Sequence, residues 1–474
     1  MEENKKRKSS LTITAIVSLL ITGTILFFIA MVARQDTSNN GYGFTTNRES
    51  WPCEHCAERD QLSFWEEPPI IGLTVPPILD LTQEDFLYDF DFLIKTLEEN
   101  FPSFGIIYRR NGVDMLALAA ELRLLLLDEA TEWDYLSFYE LLRRDFLSNA
   151  WPVGHLRMVH YQDFMEIFYH HHTTSNRSRS VYSHLSNRLR GSIWYTESAE
   201  YMRLITNEQG FVNTNIVADV IANGNAAYIR LPDMRRYEIG YPTQASLIDS
   251  FFAELEEMEH LIIDLRGHTG GWTEHFKEML VTPFIDHPLE ATFHHFYMAG
   301  RENTQYILNL QSRDRHGTFT TREPFSDRLL NNLFGYGVLS QEIITDLRQM
   351  DMYMPRTHTA HPNPNRRAPF DPKIWLLTDM NNFSAAQHIA AFFHQTGFAT
   401  LVGNTTGGMA VYMDSFPSHF FTLPNTGFMV RYDPLYIISA DGRPWEYGTA
   451  PHHFNRDGMN ALQTVLALIA EGNY

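Results

Sequence analysis

From Gly224 to the C-terminus, short apolar runs bounded by glycine, proline or aspartate alternate with segments of helical periodicity. "AAYIRLP" reads as a β-rich run, "TQASLIDSFFAELEEME" as a helix with Leu247, Phe251, Leu255 and Met258 on one face, and "HLIIDLRG" as a buried strand. "ATFHHFYMAG", "KIWLLTD", "FATLVG", "HFFTLP" and "TGFMVRY" are further strand candidates. Strands alternating with helices bury their apolar faces in layers, so the expected class is α/β. "QEIITDLRQMDMYM" and "HPNPNRRAPFDP" read as a helix and a Pro/Asn-rich insertion into that layer.

The chain before this core has a different pattern. Leu11 to Ala33 carries no charge and has about the 20 residues a helix needs to cross a bilayer. A cleaved signal peptide would have an apolar region of only about 7–15 residues and a small-x-small end, which "AMVARQ" does not supply. Lys5, Lys6, Arg7 and Lys8 precede the run, so the positive-inside rule puts the rest of the chain on the extracytoplasmic side of a single-pass anchor. Thr82 and Asp85 form a capping-box pattern followed by Phe86, Phe90, Leu93 and Leu97 at helical spacing. "MLALAAELRLLLLDEA" and "TEWDYLSFYELLRRDFLSNA" extend this into a small helical unit. The expected organisation is a cytoplasmic tail (1–10), a transmembrane anchor (11–33), a juxtamembrane linker (34–80), a helical unit (81–160), an intervening region without a clear PDZ pattern (161–222) and the core (223–474).

Several function classes are disfavoured. A formal charge of −20 does not suit a surface that must neutralise phosphates, so no nucleic-acid partner is expected. Cys53 and Cys56 are the only cysteines, half of a zinc site or a small disulfide loop, and a surface disulfide or two free thiols is the simpler reading. His170, His171 and His172 are adjacent, and neighbours in a regular element point in different directions, so a solvated loop is the simpler reading. No metal or organic cofactor is expected.

Two glycine or serine sites carry possible chemistry. In "LIIDLRGHTGGW" a strand runs into Gly270 and Gly271, where free backbone N–H groups could bind an oxyanion, or simply form a strand-to-helix turn. In "NNFSAAQ" Ser384 stands at a helix start, where it could be a nucleophile beside the positive end of the helix dipole. With Gln387 it also matches a capping box, and that alone would account for it. No GxSxG elbow is present. His155 in "WPVGHLRMV" could supply a base, and Glu446 in "RPWEYGTAP" a carboxylate to orient it; each, taken alone, is equally a structural residue.

In combination and order, His155, "DLRGHTGG", "SAAQ", "TLVGNTTGG" and "WEYGTAP" resemble the S41 peptidases, the tail-specific and tricorn-core serine proteases. The resemblance spans Thr82 to the C-terminus except 161–222. It implies a ClpP/crotonase-like spiral core, Ser384 as nucleophile, and the amides of Gly270 and Ala385 as oxyanion donors. Val402, Gly403, Thr406 and Gly408 look like the family's Val-Gly-x-x-Thr-x-Gly segment. Tail-specific members place a lysine base where this chain has Met409, and a thioether cannot accept a proton. Tricorn-type members use a histidine from the helical part and a late glutamate, which fall on His155 and Glu446, although Gly154 replaces the serine that precedes that histidine. Gln387, His268, Thr269 and His452 are further departures from the pattern.

The resemblance therefore implies hydrolysis of a protein or peptide through an acyl-enzyme on Ser384, with His155 as base and Glu446 as orienting carboxylate. A binding protein that has lost hydrolysis and an esterase using the same triad are the alternatives.

Overall fold

The computed structural model describes residues 81–159, 216–313, 323–408 and 418–472, with short breaks inside the first two spans, and Phe164. The expected anchor at 11–33, Cys53 and Cys56, the three adjacent histidines and Met409 lie outside the described residues. Among the described residues no helix is long and apolar enough to cross a membrane.

In chain order the main elements are α1 (Gln83–Asn100), α2 (Phe104–Asn111), α3 (Met115–Leu126), α4 (Tyr135–Glu140), β1 (Arg157–Met158), β2 (Val217–Ile221) and β3 (Ala226–Arg230). Next come α5 (Gly240–Glu254), β4 (His260–Asp264), α6 (Thr273–Leu280), β5 (Leu289–Tyr297), α7 (Arg301–Arg313) and β6 (Glu323–Pro324). They are followed by α8 (Asp327–Phe334), α9 (Gln341–Leu347), β7 (Met352–Ala360), β8 (Lys373–Thr378), α10 (Ala385–Thr396) and β9 (Thr400–Gly403). The last are β10 (His419–Thr422), β11 (Met429–Tyr432), β12 (Tyr436–Ser439), β13 (His453–Phe454) and α11 (Ala461–Glu471).

The fold is mixed α/β with helices at the N-terminal end. Six strands form one sheet in the order β13-β9-β8-β4-β3-β2, parallel from β3 through β13, with β2 antiparallel at one edge. Both faces are covered, which is why the strands read as unbroken apolar runs. Leu261, Ile263, Leu376 and Leu401 face Ile248, Phe252, Phe276, Ile389 and Phe393 of α5, α6 and α10. Their neighbours Ile262, Trp375, Leu377 and Val402 face Val465 and Leu468 of α11 on the other side.

Two antiparallel sheets adjoin it, β12-β5-β7-β6 and β1-β11-β10. The N-terminal helices pack on these: Phe86, Phe90, Leu93 and Leu97 are fully buried in one cluster with Phe138, Phe146, Phe421, Val430 and Tyr436. The capping box of α1 forms, each of Thr82 and Asp85 bonding the other's backbone.

Three local expectations change. The buried face of α5 carries Ile248 and Phe252; of the expected stripe Leu255 is buried with them and Phe251 and Met258 pack against the same core, while Leu247 is exposed. "MDMYM" is not the tail of a helix: α9 stops at Leu347 and Met352–Ala360 forms β7, paired along its whole length with β5. Pro355 within that run masked the strand pattern. Ser384 is at the N-cap position of α10, but its side chain makes no capping bond, so the capping box with Gln387 does not form.

Candidate active site

Ser384 follows the carboxyl end of β8, and Gly270 follows the carboxyl end of its parallel neighbour β4. Ligand sites of open parallel sheets form at this end, where successive strands release their loops side by side. The two loops are tied together: Asn382 Nδ2 donates to the carbonyls of Leu265 and His268, and Gly267 N–H donates to Asp379 Oδ2 at 3.0 Å. A Cβ added at Gly270, where φ is +122°, would lie 2.7 Å from Ser384 Cβ and 2.9 Å from the Ala385 nitrogen. Only glycine lets the two backbones approach this closely.

Ser384 itself has φ 55° and ψ −123°. Among the described residues other than glycine, only His155, Ala222 and Ser384 have positive φ. Such backbone is costly for a residue with a Cβ and persists where surrounding contacts over-determine it, commonly at functional sites. Ser384 and His155 are both nearly buried.

His155 closes the short turn Val153–His155 that leads into β1, where it and Gly154 have positive φ; the paired register with β11 begins at Arg157, opposite Arg431. Asp433, just past the end of β11, reaches this turn: its N–H donates to the Gly154 carbonyl at 2.7 Å, and His155 Nδ1 meets Asp433 Oδ2 at 2.5 Å. His419 of β10 lies opposite Tyr432, so the next position brings Ser418 to Asp433, and its hydroxyl donates to Oδ1 at 2.6 Å. Gly154 has φ +58°, and a Cβ there would lie 2.6 Å from the Phe101 ring, so a serine at this position has no room.

Burial lowers the proton affinity of His155; Asp433 opposes this, but Arg431 and Arg157 add to it, and the net shift is downward. Burial raises the Asp433 pKa, yet His155, Arg431 and Ser418 outweigh it and hold the carboxyl below its usual range. The pair is thus a neutral imidazole donating Nδ1–H to a carboxylate, which leaves the Nε2 lone pair available as a base. Phe383 links this pair to the serine loop, its ring centroid 4.9 Å from the imidazole. Ser384 Oγ makes no hydrogen bond to His155 in this state.

Glu446 has other partners. Arg109 of α2 donates to both its oxygens at 2.8 and 3.2 Å, and Tyr436 OH donates to Oε1 at 2.9 Å. Arg109 also pairs with Asp346 at 2.6 Å. The structure therefore puts Asp433 on the imidazole and sets Glu446 in a cluster that joins α2 to the core. Asp433 was missed in the sequence because "RYDP" has no spacing motif; only the long-range contact between the end of β11 and the turn before β1 makes it a partner of His155.

Gly270 N–H donates to His268 Nδ1 at 3.0 Å. Ala385 begins α10, so its amide stands at the helix start beside Gly270. Gln387 donates to Thr449 Oγ1 at 3.1 Å and accepts from Thr406 Oγ1, and Thr449 N–H donates to Thr406 Oγ1 at 2.7 Å. This network pins the loops of Thr406 and Thr449 to the first turn of α10. Among the described residues no group of three or more His, Cys, Asp or Glu could hold a metal ion.

The model of peptidase family S41 matches residues 225–453, which hold both loops of the sheet and Asp433. The chain belongs to peptidase family S41. As an S41 serine peptidase it acts on protein or peptide substrates. No curated protein matches the chain. A solved structure of a putative peptidase from Parabacteroides merdae aligns at 14% identity over 82% of this chain and 97% of that one, with a TM-score of 0.48. Mature CPAF aligns at 15% identity over 78% and 92%, with a TM-score of 0.46. The photosystem II D1 C-terminal processing protease aligns at 11% over 80% and 94%, with a TM-score of 0.36.

Proposed function

We propose that this S41 peptidase cleaves peptide bonds through an acyl-enzyme on Ser384, on a ClpP/crotonase-like spiral core held outside the cell by the 11–33 anchor. His155 is the general base and then the general acid, and Asp433 takes the orienting role that the sequence reading gives to Glu446. The observation that carries this is the buried His155–Asp433 bond, next to a serine loop whose nucleophile has strained backbone.

In the first step His155 Nε2 takes the Ser384 proton as Oγ attacks the scissile carbonyl, and Asp433 stabilises the imidazolium that forms. The oxyanion is held by the amides of Gly270 and Ala385. In the resting site Gly270 N–H is bonded to His268, so the incoming oxyanion replaces the His268 nitrogen as acceptor. The imidazolium then protonates the leaving amine, and water repeats the sequence to release the acid. Serine–base hydrogen bonds are often long before substrate binds and tighten in the complex, consistent with the open Ser384 hydroxyl.

Intact-mass detection of a fluorophosphonate adduct tests this reading. One adduct is expected on the wild-type chain, mapped to the Ser384 peptide, with loss of labelling in Ser384→Ala and His155→Ala. An adduct that persists in a folded Ser384→Ala chain contradicts it, and peptide cleavage against ester turnover separates peptidase from esterase.

A further inference from the structure

The carboxylate of Asp433 is fully buried, and among the described residues it accepts one hydrogen bond on each oxygen. Oδ2 meets His155 Nδ1 at 2.5 Å, and Oδ1 takes the hydroxyl of Ser418 at 2.6 Å. Ser418 is itself only 1% exposed, so it is closed to solvent and to substrate alike. The ladder beside it does not depend on its side chain, because His419–Thr422 of β10 already pair residue by residue with Met429–Tyr432 of β11. What the hydroxyl does is act on the carboxylate. The terminal torsion of an aspartate is broad and nearly two-fold, so a bond to Nδ1 alone leaves the carboxylate free to turn; a second donor on the other oxygen fixes its plane. Bonds of this kind, to a charged acceptor, are also the strong ones. Burial pushes the Asp433 carboxyl up, and Ser418 joins His155 and Arg431 in bringing it below its usual range.

We propose that Ser418 is a positioning residue for the hydrolysis, its hydroxyl fixing the Asp433 carboxylate so that Oδ2 stays on Nδ1–H and His155 keeps the tautomer whose Nε2 can act as base. This rests on Ser384 and His155 being the reacting pair, with Asp433 as the carboxylate that serves them. Because Ser418 cannot meet substrate, its effect falls on kcat and not on KM. A donor on Oδ1 also draws charge from the carboxylate. With the hydroxyl removed, the carboxylate stabilises the imidazolium more strongly, and the pair takes up a proton at higher pH. The charged groups that face the pair are Arg157 of β1 and Arg431 of β11; both lower the proton affinity of His155, and the test alters neither.

The test compares the full chain with Ser418→Ala and Ser418→Thr, each also made in Asp433→Asn, on one internally quenched peptide. Ser418→Ala should lower kcat by about 10- to 100-fold with KM within about twofold, and Ser418→Thr, which keeps the hydroxyl, should recover most of that loss. In Asp433→Asn the same alanine change should lower kcat by less than about twofold, since a group that acts only through the carboxylate has nothing left to hold. The acid limb of kcat/KM should move to higher pH in Ser418→Ala. So should the pH midpoint of deuterium exchange at the imidazole C2 of His155, followed by mass spectrometry. That midpoint needs no turnover, so it judges Ser418 even if the acyl-enzyme reading fails. Should Ser418→Ala not fold, Ser418→Cys, close in size and a weaker donor, takes its place with the same expected signs. Full kcat in the folded variant, an equal loss in the wild-type and Asp433→Asn backgrounds, or an unmoved His155 midpoint overturns the proposal.

Discussion

At the scale of single residues, the account turns on which carboxylate serves His155. Two acids were available, and geometry separates them: Asp433 bonds Nδ1, while both oxygens of Glu446 are engaged by Arg109 and Tyr436. The lowered proton affinity of His155 fixes the direction of the pH dependence. A base must be neutral to act, so kcat/KM should hold as pH falls through the ordinary histidine value of about 6.5 and drop only below it. A pH–rate profile whose acid limb lies above that value would contradict the burial argument. The same shift links to stability: the folded chain holds fewer protons than the unfolded chain between the lowered value and about 6.5, so stability should fall as pH drops through that window. Gly270→Ala should lower kcat by about 100-fold or more, because the added methyl meets Ser384 and shifts an oxyanion donor. Circular dichroism unchanged from wild type, beside the kinetic loss, would show that the site and not the fold is affected.

Elements explain why these residues meet. β4 and β8 are parallel neighbours, and their loops carry Gly270 and Ser384 to one edge. The antiparallel packing of β1, β11 and β10 brings three distant positions, His155 from the turn before β1, Asp433 and Ser418, into one hydrogen-bonded cluster. The Ser384 loop was legible in the sequence because strand, loop and helix are contiguous there, and local periodicity reports contiguous structure. Asp433 was not legible, since its contact with His155 spans 278 positions and local pattern does not report contacts of that range. The capping-box reading of Ser384 failed for a related reason: Gln387 is drawn to Thr406 and Thr449, which follow it by 19 and 62 positions. Replacing Thr406 by Val removes the hydroxyl that satisfies Gln387 and the Thr449 amide. A loss of about 1–3 kcal/mol in urea unfolding is expected, and a change within error would mean that the network does not hold α10.

For the whole molecule, the layered α/β class was readable from the alternation of elements, and the helices around Phe86 and Phe90 from their spacing and cap. How the helices meet the core was not, because it depends on contacts such as Arg109 with Glu446 and Asp346, 337 and 237 positions apart. β7 was missed for the same reason: its partner β5 precedes it by more than fifty residues, and Pro355 breaks the local pattern. The Arg109–Glu446 pair is almost closed to solvent, so Arg109→Met leaves a buried carboxylate without its cation. It should lower the unfolding free energy by about 3–5 kcal/mol, with the double variant Arg109→Met, Glu446→Gln recovering much of the loss. Equal stability of Arg109→Met and wild type in denaturant titration would remove Glu446 from this structural role. The central claim, that Asp433 and not Glu446 completes the catalytic group, is tested most directly by kcat/KM on one peptide for Asp433→Asn beside Glu446→Gln. The account predicts a fall of about 1,000- to 10,000-fold for Asp433→Asn and a much smaller one for folded Glu446→Gln; the reverse order would contradict it.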